Sequence, residues 1–328
     1  MKCVGIVQWV QKRNIDFYKE QDCFLKMNVV AIKELLWSWH PLPKTWKIVP
    51  YADKDSIQNA DVLVQSNQSG SKKERKLGHI YNFVKDSGKP FIVTESAVFR
   101  KNMADPDPGK PGKTYHRFSW TSYFRDEGDY CNENSPSDRW EQVKKDQNLV
   151  VKDWRTKGDY VLVLLQRPGD SSLVNLIKKH GSYEGFVTHT LNEIKQNTDR
   201  PIKVRMHPSR IDRQRAILKD YDVQISENLQ GAGLLSGGAG LQADFDNAWC
   251  VVGFNSNGLT ESAMEGIPTF SMCPSCMAYD VSNKSLKLIE QPIMYERQQW
   301  LNNLAYCQWR EDECIAGLPW EHLRKKYA

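Results

Sequence analysis

Residues 249–268 read Trp249-Cys-Val-Val-Gly-Phe-Asn255-Ser256-Asn-Gly258-Leu-Thr260-Glu261-Ser-Ala-Met-Glu265-Gly-Ile-Pro268. A short apolar run ends in small polar residues, a helical stretch follows them, and Ile-Pro-Thr-Phe-Ser-Met then restarts an apolar run. Strand, polar turn, helix and strand in that order make a βαβ unit, which requires a parallel sheet. Small residues at such a turn leave backbone amides and the positive end of a helix dipole open to an anion. Asn255, Ser256 and Thr260 are therefore candidate phosphate ligands. Glu261 and Glu265 are four apart on one helix face, where a carboxylate accepts the hydroxyls of a ribose. The competing reading is two solvated helix glutamates.

Two similar junctions lie upstream. The run Asp159-Tyr-Val-Leu-Val-Leu-Leu-Gln166 is followed by Arg167-Pro-Gly169-Asp170-Ser171-Ser172, a glycine turn with two hydroxyls at the start of a helix. There Arg167, Gly169, Ser171 and Ser172 suit a phosphate, and a simple cap by Asp170 or Ser171 explains the same residues. The run Ile202-Lys-Val-Arg-Met-His207-Pro208 leads into Ser209 and Arg210, placing an imidazole and a guanidinium at a strand end. All three loops fall at the carboxyl ends of expected parallel strands, where open α/β sheets bind ligands. The strands are expected at 159–166, 202–208, 221–226, 249–255 and 267–272, with helices through 171–179, 184–197, 211–219 and 258–265.

The first half shows the same alternation: a strand in Cys3-Val-Gly-Ile-Val-Gln-Trp-Val10, a helix over 22–39, strands in 46–51, 60–66 and 90–96, and a helix over 73–87. Periodicity fails over 101–158, which reads as a long irregular segment of the kind that forms functional loops. The stretch from Tyr295 to the end reads as terminal helices. The expected organisation is a first domain over 1–155, a second over 156–295 joined near Trp154–Asp159, and 296–328 packing back toward the first.

Length and composition fit two globular domains: 328 residues, 40% apolar and 26% charged, neither disordered nor fibrous. No apolar stretch reaches the roughly 20 residues that span a bilayer, and the N-terminal run reads as a strand rather than a leader. Eight scattered cysteines read as reduced thiols, so the expected place is the cytoplasm. Cys273-Pro-Ser-Cys276 lacks the second ligand pair of a closed zinc site, and no metal is expected. Residues 1–155 hold 26 Lys/Arg against 20 Asp/Glu, while 156–328 hold 19 against 20. That asymmetry suits a polyanionic partner bound by the first half.

The ordered set Gln166-Arg-Pro-Gly-Asp-Ser-Ser172, His207-Pro208 and Asn255-Ser-Asn-Gly-Leu-Thr-Glu…Gly-Ile-Pro268 resembles the donor site of GT-B glycosyltransferases, and most of all the capsule-polysaccharide synthesis transferases. The resemblance covers about 160–275. It implies two Rossmann-like, doubly wound α/β domains facing across a cleft, the first binding the acceptor and the second the nucleotide, and a nucleoside-diphosphate sugar, first of all a UDP-sugar, as donor. Ser171, Ser172, His207, Arg210, Asn255, Ser256 and Thr260 would surround its phosphates, Arg167 would neutralise charge, and Glu261 or Glu265 would hold the ribose. Many such enzymes need no metal, and no Asp-x-Asp motif is present.

The stretch His116-Arg-Phe-Ser-Trp-Thr-Ser-Tyr-Phe-Arg-Asp126-Glu-Gly128 is similar to phage-encoded glycosyltransferases that modify hydroxymethylated bases in DNA. That second resemblance implies double-stranded DNA carrying hydroxymethylpyrimidines as acceptor, in the host cytoplasm, with the protein acting as a monomer. Transfer to a capsule or cell-surface polysaccharide is the alternative, and a non-catalytic nucleotide- or DNA-binding module is the alternative of another class. Transfer needs a base for the acceptor hydroxyl. Glu95, just after the run Pro-Phe-Ile-Val-Thr, is the first candidate, with Asp126, Glu127, Asp129 or His116 as others.

Overall fold

The computed structural model describes residues 28–33, 42, 46–50, 52–66, 78–99, 115–227 and 239–325. They form two compact units, one built from 28–97, 115–139 and 303–325, the other from 98–99 and 140–302. The two-unit α/β architecture expected from the sequence is the one observed.

The first unit contains β1 (Val29–Lys33), β2 (Lys47–Pro50), α1 (Lys54–Gln58), β3 (Val62–Ser66), α2 (Gly78–Asp86), β4 (Phe91–Ser96) and β5 (Tyr115–Trp120). α3 (Asp138–Asp146) carries the chain into the second unit. There follow β6 (Tyr160–Leu164), α4 (Val174–His180), α5 (Tyr183–Asn197), β7 (Ile202–Arg205), α6 (Ile211–Leu218), β8 (Gln224–Ile225), α7 (Ala239–Phe245), β9 (Ala248–Gly253), α8 (Asn257–Met264) and β10 (Thr269–Phe270). α9 (Gln298–Ala305) returns the chain to the first unit, which it completes with β11 (Gln308–Arg310), α10 (Glu311–Ala316) and α11 (Leu318–Lys325).

In the second unit the sheet order is β10-β9-β6-β7-β8, all parallel. Starting at β6 the chain steps outward to β7 and β8, then crosses to the other side of β6 for β9 and β10. β6 and β9 are therefore the pair at which winding reverses. Val161, Leu162, Val163 and all six residues of β9 are buried, as expected for a parallel sheet covered on both faces. Asp244, fully buried at the end of α7, accepts from Lys203 (2.9 Å), Arg205 (2.6 Å) and Ser226 (2.6 Å), tying α7 to β7. Gly266, at φ +73°, sits where a Cβ would lie 1.9 Å from the Asp153 carbonyl, so the segment entering this unit docks against it only because it is glycine.

The first sheet has order β11-β5-β4-β3-β1-β2; β5 alone runs against the others, pairing antiparallel with both β4 and β11, and the remaining pairs are parallel. Val29, Ala31, Val62, Val64, Ile92, Phe118 and Trp120 alternate onto one face, and α11 covers it: the Trp120 indole donates to the Leu323 carbonyl (3.2 Å) and meets Trp320 edge-on.

Several expectations fail here. The 22–39 helix is contradicted by β1. Val29-Val-Ala-Ile-Lys33 matches helical spacing in sequence, but its β-branched residues are buried between β2 and β3, and that packing outweighs the pattern. The irregular 101–158 contains β5 and α3; Tyr115-His-Arg-Phe-Ser-Trp120 is buried throughout, so its polar residues lie inside and no alternation shows. The C-terminal segment is not helices alone, because Gln308–Arg310 adds a strand beside β5. The strand expected at 3–10 lies outside the described residues.

A buried guanidinium adds to the β5–β11 ladder in holding the C-terminal segment. Arg139 donates to both carboxylate oxygens of Glu313 (3.0 and 3.1 Å) and to the Gln308 carbonyl (2.8 Å), and stacks 3.9 Å over Trp309. Glu313→Ala leaves that cation buried and unpaired, so we expect chemical denaturation to show a loss of about 3–5 kcal/mol. A loss below about 1 kcal/mol would mean that the pair is solvated.

Candidate functional site

Each of the three strand-end loops is shaped locally. Arg167-Pro168-Gly169-Asp170 is a type II turn, with proline at the second position, Gly169 at φ +82° at the third, and the Asp170 amide donating to the Arg167 carbonyl (3.1 Å). The Asp170 carboxylate accepts the Ser172 amide (2.9 Å), capping the short 3-10 turn Ser171–Leu173. At the β9 end, Ser256 caps α8 by accepting the Gly258 amide (3.2 Å). A Cβ at Gly258 would stand 2.6 Å from Leu164 Cδ1, so glycine lets α8 begin directly against β6.

Gln166 joins the first and third loops. The last ladder pair between β6 and β9 is Leu164 with Gly253. Beyond it, the Gln166 carboxamide accepts the Asn255 amide (2.8 Å) and donates to the Asn255 carbonyl (3.2 Å), replacing one further rung. Its NH₂ also reaches Ser172 Oγ (3.3 Å), while its own carbonyl accepts from the Tyr183 hydroxyl (2.9 Å). These bonds sit where the winding reverses, the point at which open α/β sheets bind ligands.

The second loop adjoins the first electrostatically. Burial, the largest cause, holds the His207 imidazole below its ordinary 6.5; Asp170 opposes the shift and Arg167 adds to it. His207 Nδ1 accepts the Ser209 amide (3.0 Å), so the neutral ring carries its proton on Nε2. Arg210 is exposed and lies at φ +60°, a left-handed conformation costly for any residue that carries a Cβ.

Two polar groups here are buried without a protein partner: Arg167 Nε and the hydroxyl of Thr260, a residue 1% exposed. A ligand reaching into these loops would satisfy them. Not every sequence candidate points the same way. Glu261 is half-exposed in the middle of α8, but Glu265 ends the helix, where it pairs with Lys152 and accepts from Gln242 (3.2 Å). Two of the amides expected to be open are used, that of Asn255 by Gln166 and that of Gly258 by Ser256. Gln166 and Tyr183, which no sequence argument assigned a role, provide the scaffold; the signal for Gln166 was its place at the head of the Gln166…Ser172 motif.

In the first unit Glu95 lies opposite Arg117 and Ser96 opposite His116 across the β4–β5 ladder. Opposed residues share a face, so Glu95 and His116 project from opposite faces of the sheet. Glu95 Oε1 accepts from the Ser96 amide (2.7 Å) and hydroxyl (3.1 Å), His116 is buried, and Asp126 is exposed on the turn after β5. The first unit's own winding reversal lies between β1 and β3, and the residues following both, 34–41 and 67–77, lie outside the described residues. Among the described residues no group of three or more His, Cys, Asp or Glu is placed to hold a metal, and no helix is long and apolar enough to cross a membrane.

Comparison with solved structures supplies a likeness over most of the chain. It is with the KpsC β-Kdo 2,4 transferase of Thermosulfurimonas dismutans: TM-score 0.55, 13% identity, covering 87% of this chain and 92% of that one. The fold is shared with a sugar transferase. The KpsC β-Kdo 2,7 transferase of the same organism aligns at TM-score 0.49 and 12% identity, over 89% of this chain and 98% of that one. No protein-family model and no curated protein matches the sequence.

Two outcomes follow. Gln166→Ala should cost about 1–3 kcal/mol in denaturant unfolding and accelerate amide exchange at Asn255; unchanged exchange would show that the carboxamide does not hold the loop. His207 and His180 are both held below their ordinary 6.5, so as pH falls below 6.5 the unfolded chain binds protons first. Stability present above pH 6.5 is therefore lost below it. Thermal midpoints should fall from pH 7 to pH 5 with a shallower slope in His207→Asn, and an equal slope would contradict the assignment.

Proposed function

We propose that this protein is a glycosyltransferase that takes a sugar from a nucleoside-diphosphate donor, a UDP-sugar first of all, and passes it to a saccharide hydroxyl of the capsule or cell-surface kind. The observation that carries the donor half is the convergence at the β6/β9 reversal of three polar strand-end loops, with the Thr260 hydroxyl and Arg167 Nε buried there and unpartnered. The shared fold with a KpsC β-Kdo transferase and the ordered Gln166…Ser172, His207-Pro208 and Asn255…Pro268 motifs support the same reading.

In this reading Arg167, the Nε2–H of His207 and the N-terminus of α8 take up the negative charge that grows on the departing diphosphate as the bond from the anomeric carbon breaks. Ser172, Asn255, Ser256 and Arg210 orient the phosphates, and Glu261, in the middle of α8, takes the ribose. The first unit receives the acceptor, with Glu95 accepting the proton of the attacking hydroxyl. Both Ser96 contacts fall on Oε1.

DNA with hydroxymethylated bases is the second reading, and one observation about charge bears on it. Of the 26 Lys/Arg of residues 1–155, 14 lie outside the described residues, against 7 of the 20 Asp/Glu. The described part of that half is near neutral, so the basic excess that favours DNA rests on segments such as 72–76 alone.

The test is turnover. The protein is incubated with a panel of sugar nucleotides and either capsular oligosaccharides or hydroxymethylated duplex DNA, and acceptor mass is followed. We expect saccharides to gain one sugar and Arg167→Ala to lower kcat/KM by about a hundredfold. Mass added only to DNA bases would install the second reading. Binding of sugar nucleotides without transfer to any acceptor would reduce the protein to a nucleotide-binding module.

A further inference from the structure

The loop after β7 is built around a side chain from the next helix. Gln214, fully buried in α6, accepts the His207 amide on Oε1 (2.8 Å) and donates from Nε2 to the carbonyls of His207 (2.8 Å), Ser209 (3.0 Å) and Arg210 (3.3 Å). One carboxamide thus gathers three carbonyls of the four-residue turn 207–210. Gathering them curls the chain until the Ser209 amide meets His207 Nδ1 (3.0 Å), and it drives Arg210 into the left-handed region at φ +60°. No side chain caps α6 at Arg210, so Gln214 is what holds this helix entry.

We propose that Gln214 is a positioning residue that fixes His207 as a neutral imidazole with its proton on Nε2, a hydrogen-bond donor aimed at a phosphate oxygen of the donor. The chemistry follows from the bonds. A ring whose Nδ1 accepts a backbone amide must offer Nε2–H, and it cannot take a second proton without losing that amide. The charged groups facing the ring are Asp170 and Arg167 from the β6 loop. Arg210, on its own loop, is the nearby exposed cation. A neutral donor leaves the charge of the bound phosphate to Arg167 and Arg210, so affinity stays level across the pH range in which a free histidine titrates. This inference rests on the donor reading above only where it names the phosphate.

The full-length protein, labelled with ¹⁵N histidine, settles the matter by NMR, with the His207 signals assigned from their loss in His207→Asn. At pH 7.5 the wild type should show an unprotonated Nδ1 and a protonated Nε2. Gln214→Ala, and the volume-conserving Gln214→Met in case the alanine variant fails to fold, should show mixed tautomers. In either folded variant, UDP-sugar affinity measured by calorimetry should fall by about tenfold, the equivalent of one lost hydrogen bond. A mere capping role would lower stability and leave the tautomer unchanged. A wild-type His207 protonated on Nδ1, or a folded Gln214 variant that keeps the pure Nε2–H form, overturns the proposal. The expected tautomers in a protein that binds no sugar nucleotide would overturn the donor reading and leave the clamp standing.

Discussion

Two hydrogen bonds from one carboxamide, Gln166 to the amide and carbonyl of Asn255, decide where the second unit presents its polar groups. Parallel strands on either side of a winding reversal send their following helices to opposite faces, so the two chains must part just after the last shared rung, Leu164 with Gly253. Without a bridge that parting leaves backbone groups unpaired and two loops free to drift. A glutamine side chain is a peptide group on a tether, and here it supplies the missing rung. The turn at Arg167–Asp170 and the start of α8 are thereby held at a fixed spacing, and a candidate site made of loops gains the rigidity of a sheet.

Gln214 applies the same chemistry to the neighbouring strand. Both glutamines pair with the amide and carbonyl of a single residue at a strand end, Gln166 with Asn255 and Gln214 with His207. Beneath them the sheet is fully apolar at β6 and β9, while Asp244 with Lys203 and Arg205 secures the β7 side. A buried triad of that kind adds little net stability, but breaking it is costly, so it fixes the register of α7 more than it strengthens the fold. The loops above can then carry unsatisfied groups, the Thr260 hydroxyl and Arg167 Nε, because their positions are determined from below.

The second unit was legible in sequence because its central strands, β6 and β9, are uninterrupted apolar runs, each closed by a loop of small polar residues, as at Val161–Leu165 and Cys250–Phe254. Local turn chemistry was legible too: Pro168-Gly169 specifies its own turn. What escaped was everything decided by partners distant in sequence. Nothing near Gln214 announces that its side chain will fold back onto His207, seven residues earlier. Glu265 matches Glu261 in helical phase, yet Lys152, 113 residues away, claims it. Val29–Lys33 fits a helix until β2 and β3 are known to flank it, and the buried polar residues of β5 defeat a reading that looks for alternation.

The central claim is that these three loops together hold a sugar nucleotide, and amide chemical shifts on titration with UDP test it most directly. Perturbations should concentrate at 166–172, 207–210 and 255–261 and saturate with a single affinity. Perturbations confined to other surfaces, or none with UDP or any other nucleoside diphosphate, would contradict it.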